Sequence, residues 1–229
     1  MYSGFPELLA VEEHLPGYNA YIVRRMAQYL AGGKSVLDFG AGIGTLAIAW
    51  EKQTGIKPEC LEVDTRQRQM IVERGFTCYP STEAVRKRFA GIYSSNVLEH
   101  IEDDLGALKQ VRSLLAEGGL LAVFVPAFMS LFSAFDSSLG HYRRYARAEL
   151  IEKVRSAGFQ VVLCEYVDCL GFYAWFLKMK LLRGNAGVKL PNATELRFYD
   201  RWIFPASTLL DRLLMRRVVG KNLLLFAKR

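Results

Sequence analysis

Ser35-Val36-Leu37-Asp38-Phe39-Gly40-Ala41-Gly42-Ile43-Gly44-Thr45-Leu46-Ala47-Ile48-Ala49-Trp50 decides the fold. A short apolar run enters three glycines at alternate positions, and an apolar, alanine-containing run of helix length follows at once. That is a strand, a tight loop and a helix in immediate succession. Glycine suits such a loop because the backbone must turn sharply and let a bulky ligand approach where any Cβ would collide. The helix that follows directs its free N–H groups at whatever the loop holds.

The dinucleotide-binding fingerprint spaces its glycines G-x-G-x-x-G; here Gly44 arrives one residue early, and Thr45 holds the third position. The spacing therefore points away from a nicotinamide cofactor. Downstream, Glu59-Cys60-Leu61-Glu62-Val63 reads as a second strand with Glu62 at its end, 22 residues after Gly40. A carboxylate there can accept hydrogen bonds from both hydroxyls of a ribose. Asp64 is the alternative for the same role.

Working outward, short apolar runs alternate with helix-length segments from about residue 19 to residue 167, which predicts an α/β fold, a doubly wound parallel sheet with helices on both faces. A helix over 19–30 precedes the first strand. Helices are expected over 45–52, 66–74, 103–116, 147–157, 170–182 and 195–218, with Gly118-Gly119 stopping the third of these. Strands are expected over 35–39, 59–63, 75–79, 91–94, 120–125, 160–166 and 222–228, seven in all. The chain reads as one domain over 1–229. Residues 1–33 form an N-terminal helical cap, 34–125 a cofactor-binding half, and 126–229 a substrate-side half with inserted helices, in which 126–145 is aromatic and irregular.

The composition, 51% hydrophobic and 23% charged over 229 residues, fits a globular chain with a core large enough to need no disulfide or structural metal. Cys60, Cys78, Cys164 and Cys169 form no CxxC pair and read as buried, reduced thiols. A net charge of +7 comes from 30 basic residues interspersed with 23 acidic ones, without the basic tail of a nucleic-acid binder. Met1 to Glu7 lacks a basic region followed by an apolar run, so a cytoplasmic protein is expected. The apolar stretch from Cys169 to Leu182 is shorter than the roughly 20 residues a membrane span needs, and Lys178 and Lys180 interrupt it.

With Asp38-x-Gly40-x-Gly42-x-Gly44 and Glu62 in place, the sequence resembles the class I S-adenosylmethionine-dependent methyltransferases over most of its length. The segment Ser94-Ser95-Asn96-Val97-Leu98-Glu99-His100-Ile101 looks like the one that follows the fourth strand in small-molecule members of that family, which often ends in Glu-His. The resemblance implies a Rossmann-like, mostly parallel seven-stranded sheet whose last strand is antiparallel. It implies that Gly40, Ala41, Gly42 and Gly44 line the methionine and ribose parts of S-adenosylmethionine, and that Asp38 holds its amino group. Glu62 and Val63 would meet the sugar side, and Asn96 and Val97 would flank the sulfonium. The sequence departs from the family at Ala90, where Asp is usual, and at Ser81-Thr82-Glu83, where the adenine-side acid is replaced.

Methyl transfer from a sulfonium is an in-line displacement that chiefly needs alignment, so neither a metal nor a covalent intermediate is demanded. A hydroxyl acceptor would gain from a general base. His141, in Gly140-His141-Tyr142-Arg143-Arg144-Tyr145, is the catalytic candidate; a hydrogen-bonded structural histidine is the equal alternative. Phe135, Arg143, Arg144 and Tyr145 are the substrate-binding candidates, their rings and cationic forks suited to a carboxylate or phosphate, with surface ion pairs as the alternative for the arginines. His100 is expected to anchor the loop beside the cofactor. Tyr18 is placed to close the pocket, unless Glu12 to Asn19 is a turn in which Asn19 caps the first helix.

No Asn/Asp-Pro-Pro-aromatic segment follows the fourth strand and no cysteine sits in a Pro-Cys context, so a nucleic-acid substrate is disfavoured. The expected acceptor is a small molecule or a lipid-linked one. Phe172 to Lys178 could touch a membrane or a long chain, although such stripes are more often core. A nicotinamide oxidoreductase and a non-catalytic S-adenosylmethionine-binding regulator are the rival functions.

Overall fold

A computed structural model describes residues 4–30, 32–33, 35–181 and 192–229. Two helices lead, α1 (Phe5–His14) and α2 (Pro16–Leu30), followed by β1 (Val36–Phe39), α3 (Thr45–Thr54), β2 (Glu59–Leu61), α4 (Thr65–Glu73) and β3 (Cys78–Tyr79). Next come β4 (Phe89–Ser95), α5 (Asp104–Leu114), β5 (Leu115–Pro126) and the short α6 (Ala134–Ser138). The chain closes with α7 (Arg147–Ser156), β6 (Gln160–Val167), α8 (Cys169–Leu181), α9 (Ala193–Phe198), α10 (Phe204–Leu213) and β7 (Asn222–Lys228).

The seven strands form one sheet in the order β3-β2-β1-β4-β5-β7-β6. β1, β2, β3, β4 and β5 pair in parallel, while β7 runs antiparallel to both β5 and β6. From β1 the chain winds outward to β3, then returns to place β4 on the other side of β1. The carboxyl ends of β1 and β4 therefore flank the crevice that opens where an α/β sheet reverses its winding.

Side chains along the central strands alternate between two packed faces. Leu121, Val123 and Val125 join one core with Leu108, Val111, Leu150 and Val154 from α5 and α7. Ala122 and Phe124 join the other with Ile22, Met26, Trp50 and Phe204 from α2, α3 and α10. Burial on both faces explains why these strands are almost wholly apolar in sequence.

Three boundaries differ from the sequence expectation. Helix α5 ends at Leu114, and Gly118 and Gly119 lie inside β5. Pairing slips there, with Phe89 opposite Leu115 and Gly91 opposite Leu120, and Gly118 at φ +70° takes up the extra residues as an irregularity. Gly75 and Phe76 lie just past α4 and close its last turn, where Phe76 N bonds Ile71 O at 3.1 Å and Gly75 N bonds Val72 O at 2.8 Å, leaving only Cys78–Tyr79 as strand. Residues 195–218 are not one helix: a π turn over Tyr199–Ile203 separates α9 from α10, where Pro205 lacks an amide to donate.

At the N-terminus α2 begins at Pro16, so Asn19 is not its cap; its side-chain amide instead bonds Val11 O at 3.2 Å and ties α1 to α2. All four cysteines are free, three of them buried. Among the described residues no helix is long and apolar enough to cross a membrane. Helix α8 buries Trp175 but exposes Tyr173, Phe176 and Leu177, and Leu182, its expected last residue, lies outside the described residues.

Candidate active site

The loop from β1 to α3 is built on left-handed backbone. Gly40, Gly42 and Gly44 have φ of +77°, +57° and +84°, a conformation that costs a side-chain-bearing residue roughly 1–2 kcal/mol. A Cβ on Gly40 would also stand 2.4 Å from Val97 Cγ2. Gly44 supplies no side chain to cap α3, so the first amides of that helix are left for loop and ligand. Both Gly40 and Ala41 bond Leu61 O through their amides, which pins the loop to the end of β2.

At that end Glu62 is buried. Its Oε2 accepts the Gly42 amide at 2.8 Å and its Oε1 the Asp64 amide at 2.9 Å. Burial raises its pKa, and these amides oppose the rise. Asp64 is spent differently: its carboxylate caps α4 by accepting Gln67 N at 2.9 Å. Of the two candidate acids, Glu62 is the one facing the glycine loop. Val63 beside it is 72% exposed.

Asp38, the last but one residue of β1, is 2% exposed, and its Oδ2 has no hydrogen-bond partner among the described residues. Burial pushes its pKa up to about 8, against the opposing influence of the Tyr93 hydroxyl. An orphaned carboxyl oxygen beside three left-handed glycines and an uncapped helix fits a ligand that brings a cationic amino group and a sugar, as S-adenosylmethionine does.

The turn after β4 forms the opposite wall. Asn96, at φ +54°, donates its amide to Phe124 O at 2.8 Å, and Val97 packs against Gly40. The sequence candidates Asp38, Gly40, Ala41, Gly42, Gly44, Glu62, Val63, Asn96 and Val97 thus gather at the carboxyl ends of β1, β2 and β4.

Residues 126–145 fold back onto this turn, with Tyr142 N bonding Glu99 O at 2.8 Å. Asp136 organises the segment. Its Oδ2 accepts from the amide and hydroxyl of Ser133, and its Oδ1 takes Arg144 Nε at 2.8 Å. His141 Nδ1 lies 3.2 Å from the same oxygen. Burial would raise the pKa of Asp136, but His141 and Arg144 hold it down to about 2. Arg143 pairs with Asp104 at 2.7 Å, and the Tyr145 hydroxyl donates to Asp104 at 2.8 Å. The polar ends of Arg143, Arg144 and Tyr145 are therefore engaged with internal carboxylates, while Phe135 packs 5.8 Å from the Trp175 ring.

Two features, the buried Glu99 and the packing of helix α1 on the glycine loop, escaped the sequence reading. Glu99 is fully buried, with its pKa pushed up to about 8 by that burial. An acid between Leu98 and His100 in an apolar turn was its only signal. Tyr18, the candidate for closing the pocket, accepts from Asn222 Nδ2 through its hydroxyl at 3.2 Å. Helix α1 straps the glycine loop from outside: Glu12 accepts from Thr45 Oγ1 at 2.5 Å and from Arg74 Nη2 at 2.7 Å.

Comparison with known proteins agrees with this geometry. A family model described as a methyltransferase domain matches residues 11–163. No curated protein matches the sequence. Among solved structures, a chain from the complex between the Haloferax volcanii Trm112 methyltransferase activator and a methyltransferase superposes with TM-score 0.66 at 16% identity, covering 99% of this chain and 95% of that one. A SAM-dependent methyltransferase from Archaeoglobus fulgidus gives TM-score 0.61 at 19% identity over 92% of both chains. The Haemonchus contortus phosphoethanolamine N-methyltransferase 2 in complex with S-adenosyl-L-methionine gives 0.58 at 17% identity, covering 92% of this chain and 51% of that one.

Proposed function

Because the chain belongs to the methyltransferase-domain family, we propose that it transfers a methyl group from S-adenosylmethionine to a small-molecule acceptor carried on a lipid. The observation that supports this most is the joining of the left-handed glycine loop to Glu62 through the Gly42 amide, next to the orphaned Asp38 carboxyl. Asp38 holds the cofactor's amino group, Glu62 its ribose, and Asn96 and Val97 lie along the methionine side. The bound cofactor supplies the electrophilic methyl carbon. The chain's own part is to align the acceptor with that carbon and keep water out, the role that positioning plays in displacement chemistry.

A specific surface favours the lipid-linked acceptor over a freely diffusing one. Helices α9 and α10, the π turn between them and the residue that follows α10 expose Phe198, Trp202, Leu209, Leu213 and Leu214. Arg197, Arg201 and Arg212 lie on the same elements, so apolar and cationic groups stand together as at a lipid interface. Asp200, from the π turn, accepts the Gly17 and Tyr18 amides at 2.9 and 2.7 Å, which connects this face to the rim of the crevice.

The test is a screen of acceptors with methyl-labelled donor, run with and without anionic vesicles. Transfer to a lipid-linked acceptor that Trp202→Ser with Leu213→Ser slows is the expected outcome. Equal transfer to a water-soluble acceptor in both proteins, with no vesicle co-sedimentation, removes the lipid part of the reading.

A further inference from the structure

Glu99 and His100, on the turn after β4, meet His141 from the segment folded over them. Each offers one donor atom, and the three atoms lie within 4.8 Å of one another. We propose that Glu99, His100 and His141 form a binding site for one divalent transition-metal cation at the acceptor end of the crevice. No metal-ligand spacing is visible along the chain, because the third member arrives 41 positions after the second.

The first argument is the state of Glu99. It is 0% exposed, and neither carboxyl oxygen has a hydrogen-bond partner among the described residues. A buried carboxyl group left without a partner is costly, and a cation bound to it supplies the missing partner. The nearby guanidinium of Arg144 gives Nε and Nη2 to Asp136, and its Nη1 has no hydrogen-bond partner among the described residues, so it makes no bond to Glu99.

The second is the support behind the two imidazoles. His141 Nδ1 lies 3.2 Å from Asp136 as an ion-pair contact, without hydrogen-bond geometry, and Nε2 is the nitrogen left for a metal. His100 stands beside the Leu139 backbone. Ligating histidines are commonly oriented in this way, by a carboxylate or a backbone carbonyl on the nitrogen that does not bind the metal. The rings face each other edge-on with centroids 4.5 Å apart, so no side chain stands between them.

The geometry is close to what an ion requires. Tetrahedral ligands held at about 2.1 Å from one ion stand about 3.4 Å apart, so donor atoms within 4.8 Å of one another need side-chain adjustments of at most about 1.4 Å. Two nitrogens and one oxygen select zinc, manganese, iron or cobalt over magnesium or calcium, which prefer oxygen alone. His100 is exposed and offers an entry path. Three protein ligands leave coordination positions open.

What fills an open position follows if the methyl-transfer reading holds; the metal site itself does not depend on it. An acceptor hydroxyl on the cation loses its proton to solvent more readily. Its oxygen then forms the bond to the methyl carbon as the carbon–sulfur bond breaks, and the sulfonium leaves as a neutral thioether. In this arrangement His141 is a metal ligand, not a general base.

The test titrates metal-stripped full-length protein with Co2+, reading visible d–d absorbance and, in the same samples, S-adenosylmethionine binding by calorimetry. One Co2+ per chain, displaced by Zn2+ and weakened at least about tenfold by His100→Ala and by His141→Ala, is the expected result. Glu99→Gln should weaken it similarly; if that buried change unfolds the chain, the two histidine variants carry the test. No d–d band up to about 1 mM Co2+, or unchanged affinity in both histidine variants, overturns the proposal. Loss of metal binding with intact cofactor binding would leave the methyltransferase reading standing, and the converse would fault that reading alone.

Discussion

Glu62 Oε2 accepts the Gly42 amide at 2.8 Å, so the carboxylate that ends β2 and the loop that ends β1 move as one unit. The other oxygen of Glu62 holds the Asp64 amide. The acid is thereby oriented before any ligand arrives, and less ordering is left to be done on binding.

Glu62→Ala should lower cofactor affinity by about 10- to 100-fold, equivalent to about 1.4–2.8 kcal/mol, because it removes a ribose acceptor and frees the loop together. Glu62→Gln, which keeps one carbonyl oxygen, should lose less. Calorimetric titration of both variants checks the order; equal affinity in wild type and Glu62→Ala would show that the carboxylate does not meet the ligand.

Two glycines in the same loop should respond differently to alanine. Gly40→Ala meets both a φ of +77° and a Cβ contact of 2.4 Å with Val97, so about 2–5 kcal/mol of destabilisation is expected. Gly44→Ala meets φ of +84° but comes no nearer than 3.4 Å to Ile71, so only the backbone cost of about 1–2 kcal/mol applies. Urea unfolding of the pair measures the difference.

Asp38 gives the apoprotein a pH signature. Its pKa is raised from 3.8 to about 8 by burial, so the folded state keeps a proton that the unfolded chain has lost. The stability this contributes is complete below about pH 4 and is lost as pH rises through about 8. Thermal unfolding should show that decline in wild type, and Asp38→Asn should flatten it. A cationic amino group beside Asp38 favours the carboxylate, so cofactor binding should release a proton at neutral pH. Binding heats that do not vary with buffer ionisation enthalpy would contradict this.

How much of this was legible in the sequence depends on range. The glycine loop, the acid after the second strand and the apolar runs of β4, β5 and β7 are local patterns, each fixed by backbone sterics or two-sided burial. Gly118-Gly119 misled because glycine ends a helix and relaxes a strand through the same left-handed conformation. The partnership of Glu99 with His141 was invisible because it depends on residues 126–145 folding back, and Asp136, which sets that fold, looks like any loop acid. Arg143 and Tyr145 read as substrate contacts for want of their shared partner, Asp104, some 40 positions upstream.

Asp136 and Arg144 are both almost fully buried and ion-paired, with Arg144 Nη1 left without a hydrogen-bond partner among the described residues. Asp136→Ala should destabilise the chain by about 3–5 kcal/mol, since it strands a buried guanidinium. Pairing it with Arg144→Met should recover part of that loss. Chemical denaturation of the single and double variants tests the coupling, and additive losses would show that the two are independent.

The most direct test of the whole account is equilibrium binding of S-adenosylmethionine to the purified chain, with NAD as the competing ligand. One S-adenosylmethionine per chain, displaced by S-adenosylhomocysteine and indifferent to NAD, is the predicted result. No binding of S-adenosylmethionine at millimolar concentration, or saturable binding of NAD in its place, would contradict it.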